Sequence, residues 1–222
     1  SSLTARDLFP IASFLLLRGR CRHCAVPIPR WHLAVEISVP ALFLLAVVLL
    51  PGSAVPDQVS RWVLLALLLA LTVIDLQTFL LPDVLVLAMA GVGVVRSVTL
   101  HMPPLPSALL GGIVGLGVLG AFALIPWRRR SGDRTDALPA TAMGLGDAKL
   151  AGAMGVVLGM QGLITALFVA FVAGGAVGSA LLLTRRATFA SRIPFGPFLA
   201  GATMLILLFP NLPHLFFGLL GF

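Results

Sequence analysis

The feature that most constrains this chain is a series of apolar runs, each close to the length of a bilayer crossing. Val35–Leu50, Trp62–Leu81, Val84–Leu100, Ala108–Trp127 and Leu163–Leu183 are nearly continuous and lack the strict alternation of a half-buried strand. A helix needs roughly 20 apolar residues to cross the hydrocarbon core. In lipid every backbone N–H and C=O must be satisfied internally, which a helix achieves and an open sheet edge does not. Composition agrees: 59% of residues are hydrophobic, 10% are charged, and the mean hydropathy is +1.08. Soluble domains carry about a quarter charged residues. The expected fold class is therefore all-α, a polytopic transmembrane helix bundle of about seven spans. Two shorter segments complete that count, Gly144 to about Met160 and the run opened by Ile193–Ala200 and ending near Phe209. Pro51–Ser60 reads as a polar turn and Pro210–Phe222 as an apolar tail at the far interface.

The net charge of +7 does not point to nucleic acid, because the arginines lie in short loops between apolar runs. There they set topology and can meet anionic lipid. Arg6, Arg18, Arg20, Arg22, Arg30, Arg128, Arg129, Arg130, Arg134, Lys149, Arg185, Arg186 and Arg192 fall on one side of the expected path, and only Arg61 and Arg96 on the other. By the positive-inside rule the first side is cytoplasmic. Two domains are expected: a cytoplasmic cysteine-containing segment, 1–34, and a transmembrane domain, 35–222. The chain begins Ser1-Ser2 rather than with Met, and Leu3–Leu17 does not read as a cleavable signal peptide.

Against this apolar background two acids stand out. Asp75 lies one to two turns inside the cytoplasmic end of its run, and Asp147 follows two glycines in Gly144-Leu145-Gly146-Asp147-Ala148-Lys149-Leu150. An ionisable residue at membrane depth is costly and marks a functional site by default. Two carboxyl groups in contact cannot both ionise, so they can share one proton. The ionised member can then take a proton from water while the other donates to a carbonyl oxygen or leaving amine. Gly144 and Gly146, lacking side chains, leave the backbone open to an extended substrate. Lys149 can tune the pair or meet a lipid phosphate. Asp83 follows Pro82 at a helix break, and Asp133 and Asp136 belong to a charged loop. These residues alone leave three readings open: a protease, a proton-coupled transporter using Asp75 and Asp147, and a structural ion pair. The glycines of the fourth run, Gly111 and Gly115 among them, read as a close-packing face.

Cys21 and Cys24 have the spacing of half a zinc site, and structural zinc takes four ligands. His23 lies inside the pair, where it is poorly placed to close the same tetrahedron, and His32 is nearby. Two thiols without metal is the plainer reading.

Four stretches together resemble the type IV prepilin leader peptidases, bacterial aspartic proteases of the inner membrane. They are Leu15–Cys24 followed by Pro27-Ile28, Ile74-Asp75 followed by Leu80-Leu81-Pro82-Asp83, Gly144–Leu150 with its GxGD signature, and Ile193–Ala200. The resemblance covers nearly the whole chain. It implies that Asp75 and Asp147 are the catalytic pair and that Gly144, Gly146, Lys149 and Asp83 support the site. It also implies that the substrates are type IV prepilins or type II secretion pseudopilins, cleaved of a short basic leader at the cytoplasmic side of the inner membrane. No cofactor is implied for cleavage. In the family a four-cysteine segment goes with zinc and with N-methylation by S-adenosylmethionine; here the resemblance reaches only Cys21 and Cys24, so zinc and S-adenosylmethionine are expected only where methylation is retained. A transporter should show matching broken helices in two halves, and only the Gly144 region looks broken. No GxGxxG nucleotide fingerprint follows a strand.

Overall fold

A computed structural model describes residues 11–124, 144–185 and 194–221. Eight helices form among them: α1 (Ala12–Leu16), α2 (Arg30–Leu49), α3 (Val55–Thr78), α4 (Asp83–Thr99), α5 (Leu105–Leu124), α6 (Leu145–Leu183), α7 (Gly196–Leu208) and α8 (Leu212–Leu219). The chain divides into two compact units, Ser1–Gly52 and Ser53–Phe222. Arg128–Arg130, Asp133, Asp136 and Arg192 lie outside the described residues.

The first unit holds α1, a short cysteine turn and α2. The turn is closed by backbone bonds from Cys21 N to Val26 O (2.9 Å) and from Ile28 N to Gly19 O (2.8 Å). Within this unit the Ile11 amide donates to Glu36 Oε2 at 2.8 Å. α2 falls within this first compact unit.

In the second unit α6 is the hub, packing on α4, α5, α7 and α8. Lipid offers no hydrophobic drive for helices to associate, so close backbone approach has to supply dispersion contacts instead. The α5–α6 pair achieves this with small residues. A Cβ on Gly111 would fall 2.6 Å from the Gly155 carbonyl oxygen, one on Gly112 would lie 2.8 Å from Val156, and one on Gly115 would strike the Ala151 carbonyl. The packing role expected of Gly111 and Gly115 is met, while Gly117 and Gly120 face open space.

Among the described residues four helices qualify as spans by length and apolarity, α2 from Trp31 together with α3, α5 and α6; the α7–α8 pair, bent by 99°, makes a fifth if taken as one broken span. The expected count of about seven treats as crossings of their own the 17-residue α4 and the two legs of the 39-residue α6. Those legs meet at Gly159 (φ 72°, ψ −178°), a conformation essentially confined to glycine. There the Met160 amide donates to Ser107 Oγ of α5 at 3.0 Å. The start of α3 corrects the sequence reading: the expected polar turn Pro51–Ser60 is helical from Val55, with proline in the first turn and Asp57 beside it. Proline is suited to that position because its missing N–H has no intrahelical partner there anyway.

Candidate active site

The site is assembled at one end of the second unit. α3 delivers Asp75 in its last turn, since the helix stops at Thr78 with Phe79 in the left-handed region (φ 56°) and the Phe79 amide bonding back to Asp75 O at 2.9 Å. Pro82 restarts the chain as α4, placing Asp83 in the first turn. α6 delivers Asp147 in its first turn, behind the extended Gly144, whose carbonyl accepts from the Asp147 amide at 3.1 Å. α3 and α6 make at most marginal contact with each other; α4 and α7 each pack on both. The two carboxyls therefore approach each other from helices held apart by their neighbours. They are near enough for the charge of Asp75 to act on Asp147.

Glycine backbone borders both acids. Asp75 is 5% exposed, and its Oδ2 has no hydrogen-bond partner among the described residues. That oxygen lies where a Cβ on Gly196, the first residue of α7, would come within 2.5 Å of it. The Gly196 backbone thus packs directly against the Asp75 carboxyl. Asp147 Oδ2 sits at van der Waals distance, 3.4 Å, from a Cβ position on Gly144. Gly146 carries the side chain of Leu81, whose Cβ would be 3.2 Å from a Cβ there; the α3–α4 connection thus rests on the start of α6. Lys149 Nζ donates to both oxygens of Asp83 at 2.8 Å. This pair is roughly half exposed. Of the expected support residues, Gly144 lies against Asp147 and Gly146 against Leu81, while Lys149 and Asp83 are paired with each other. Gly196 was not singled out from sequence; the signal was its place inside Pro194-Phe195-Gly196-Pro197, a stretch noted as a motif but not resolved to a residue.

Cys21 is half-buried and Cys24 exposed on their turn. Among the described residues no group of three or more His, Cys, Asp or Glu is placed to hold a metal ion. Two thiols supply half of a tetrahedral set, so these residues do not by themselves fit the zinc of a four-cysteine segment.

A helix bundle with several membrane-length helices, carrying one carboxyl from each of two distant segments to the same end, defines a class: an integral membrane protein with a paired-aspartate centre. Within that class the chain belongs to the type IV leader peptidase family, which matches residues 62–179, while residues 1–50 match the bacterial Peptidase A24 N-terminal domain. Three relatives named Prepilin leader peptidase/N-methyltransferase show the extent of the similarity. The one from Burkholderia pseudomallei (strain K96243) is 34% identical over 221 residues, 98% of this chain and 67% of the relative. That of Aeromonas hydrophila is 37% identical over 212 residues, 93% of this chain and 68% of the relative. That of Klebsiella pneumoniae is 40% identical over 167 residues, 74% of this chain and 68% of the relative. No solved structure matches the chain. Among the readings that the acids alone left open, family membership favours the peptidase over the transporter.

Proposed function

We propose that this protein is a membrane aspartic endopeptidase that removes the basic leader from type IV prepilins or type II secretion pseudopilins, with Asp75 and Asp147 as its catalytic pair. The observation that carries the reading is the convergence of these two carboxyls, 72 residues apart in the chain, at one end of the bundle, each against a glycine backbone. In the proposed reaction one carboxyl is ionised and one protonated. The ionised carboxylate removes a proton from a water molecule, whose oxygen attacks the scissile carbonyl carbon. The protonated carboxyl donates to the carbonyl oxygen. The tetrahedral intermediate then collapses: the C–N bond breaks, the amine leaves with a proton, and a new carboxyl remains on the leader. Gly144 and Gly196 keep the approaches to the two acids free of side chains, and the Gly146–Leu81 and Lys149–Asp83 contacts hold the α3–α4 connection beside α6. The end bearing the aspartates faces the cytoplasm in this reading, the membrane is the bacterial inner membrane, and 1–34 and 35–222 act as cysteine segment and peptidase domain.

The relatives' names include N-methyltransferase. A cavity of about 430 Å³ on α5 and α6 is lined by Leu116, Gly117, Gly120, Ala121, Leu124, Leu145, Ala148 and Lys149. This lining carries no acidic side chain to meet a sulfonium cation, and its one amine, Lys149, is already held by Asp83; the proposed reaction routes no step through S-adenosylmethionine.

The test is incubation of the purified protein with a pseudopilin precursor, reading the mass of the product's N-terminus. The expected product is cut at the leader junction; an added 14 Da would report methylation as well. Asp75→Asn and Asp147→Asn each keep side-chain shape but remove the titratable carboxyl, so each should abolish cleavage at unchanged expression. Near-normal cleavage by Asp147→Asn would sink the mechanism.

A further inference from the structure

At the end of α3 opposite Asp75 lies a buried charge cluster that the peptidase reading does not use. Arg61 Nε donates to Asp57 Oδ2 at 3.0 Å one turn earlier on the same helix, and Arg96 Nη2 of α4 donates to Asp57 Oδ1 at 2.7 Å. All three residues are less than a tenth exposed. Arg61 also reaches α7, where its Nη1 donates to the Leu207 carbonyl oxygen at 2.5 Å. That carbonyl belongs to the last turn of α7, where helix carbonyls have no intrahelical partner and a cation is favoured.

Two guanidinium groups on one carboxylate leave a net positive charge buried, and Arg96 Nε, Gln58 Nε2 and Ser97 Oγ have no partners among the described residues. Burying charge in this way is a poor route to stability, since apolar replacements of buried ion pairs are often as stable or more so; the best-attested use of such pairs is to fix a register. The geometry supplies a register to fix. α3 and α7 are packed together and meet at both ends: the Asp75 carboxyl lies directly against the Gly196 backbone at one, and Arg61 bonds Leu207 at the other. At about 1.5 Å per residue, Arg61 to Asp75 spans roughly 21 Å and Gly196 to Leu207 roughly 16 Å. The long arginine side chain closes the difference. Between those ends α7 presents Leu199, Ala200, Ala202 and Ile206 to its neighbours. Apolar surface of this kind resists sliding weakly where lipid is an equally good solvent.

We infer that Arg61, steadied by Asp57 and Arg96, is a positioning residue for the paired-aspartate site: by capping α7 it sets the axial register of α7 on α3, and so the seat of the Gly196 backbone on Asp75. The inference rests on the peptidase reading for its kinetic test but not for its exchange test. In the first, Arg61→Met is assayed on a pseudopilin precursor at equal amounts of monodisperse protein. The expected result is a fall in kcat of roughly ten-fold or more with KM within two-fold. In the second, amide hydrogen exchange is followed in Pro194–Leu199, which should exchange at least ten-fold faster while Gly111–Leu119 of α5 does not change. Should Arg61→Met give no folded protein, Arg61→Lys takes its place: it retains the charge but cannot serve Asp57 and Leu207 together, and the same two shifts are expected, at about three-fold or more. Wild-type kcat per folded molecule in an active enzyme, or unchanged exchange at Pro194–Leu199, overturns the inference. Uniform acceleration across α5 and α7 also overturns it, because that would mark a general loss of packing. A wild-type protein that cleaves no precursor would refute the peptidase reading instead, and the exchange result would then decide the inference alone.

Discussion

At the scale of single residues, the closest constraint in the site is the one between Gly196 and Asp75. Adding a methyl group to a glycine usually costs little on an open helix face, and on α7 Gly201 is such a position, with nothing within 4 Å of its Cβ site. At Gly196 the same methyl would fall 2.5 Å from Asp75 Oδ2. Either α7 shifts or the carboxyl rotates away, and small displacements of reacting groups lower rates steeply. Gly196→Ala should therefore reduce precursor cleavage by about ten-fold or more, while Gly201→Ala should leave it within two-fold; comparing the two variants at equal protein in membranes checks this. Asp83 offers the opposite case. Its ion pair with Lys149 is half exposed, and exposed pairs contribute about 0–1 kcal/mol. Asp83→Asn should thus leave the unfolding temperature in detergent nearly unchanged. Cleavage should fall but persist, because the α3–α4 connection keeps its Leu81 contact on Gly146.

At the scale of the helices, the small-residue seam of α5 and α6 makes a sharper stability prediction. Gly155 opposes Gly111 backbone to backbone, so that a Cβ on Gly155 would overlap the Gly111 carbonyl. Gly155→Ala should destabilise the protein by about 1–3 kcal/mol, the usual cost of overpacking. Gly120→Ala, which meets open space, should be neutral or slightly stabilising because alanine is the better helix former. Thermal unfolding of both variants in one detergent decides it. This seam was legible in the sequence because Gly111 and Gly115 repeat at helical spacing. The paired acids were legible as well, since a carboxyl in an apolar run has few other meanings. The charge cluster was not. Pro56, Asp57 and Gln58 have the composition of a turn, and Asp57 is buried on Arg96, 39 residues away, a contact that no local pattern announces. For the same reason Arg61 and Arg96 read only as topology markers of the far side, when they are also buried partners of one carboxylate. The sequence reading ended one span near Met160 and began another at Leu163; that the two legs are one helix with its break at Gly159 depends on Ser107 and Pro103 of the neighbouring segment, which would crowd any Cβ there.

At the scale of the whole molecule, the proposal requires that the end carrying Asp75 and Asp147 face the cytoplasm, and that α4 carry the chain across. The second point is a close one. Seventeen residues make a helix of about 26 Å, against a hydrocarbon core of about 30 Å, so α4 crosses only with its flanking residues in the interface. Leu80, in the α3–α4 connection, and Met102, in the α4–α5 connection, are both exposed and test the two points together. With Cys21 and Cys24 replaced by serine, Leu80→Cys and Met102→Cys each carry one thiol. A membrane-impermeant maleimide added to intact spheroplasts should label Met102→Cys and spare Leu80→Cys, and permeabilisation should expose Leu80→Cys. The opposite pattern would place the aspartates outside, away from a cytoplasmic leader, and would contradict the proposed reaction even if both acids proved essential. Labelling of both thiols from one side would show that α4 does not cross, and the aspartate-bearing end would then have to be assigned from α5 and α6 alone.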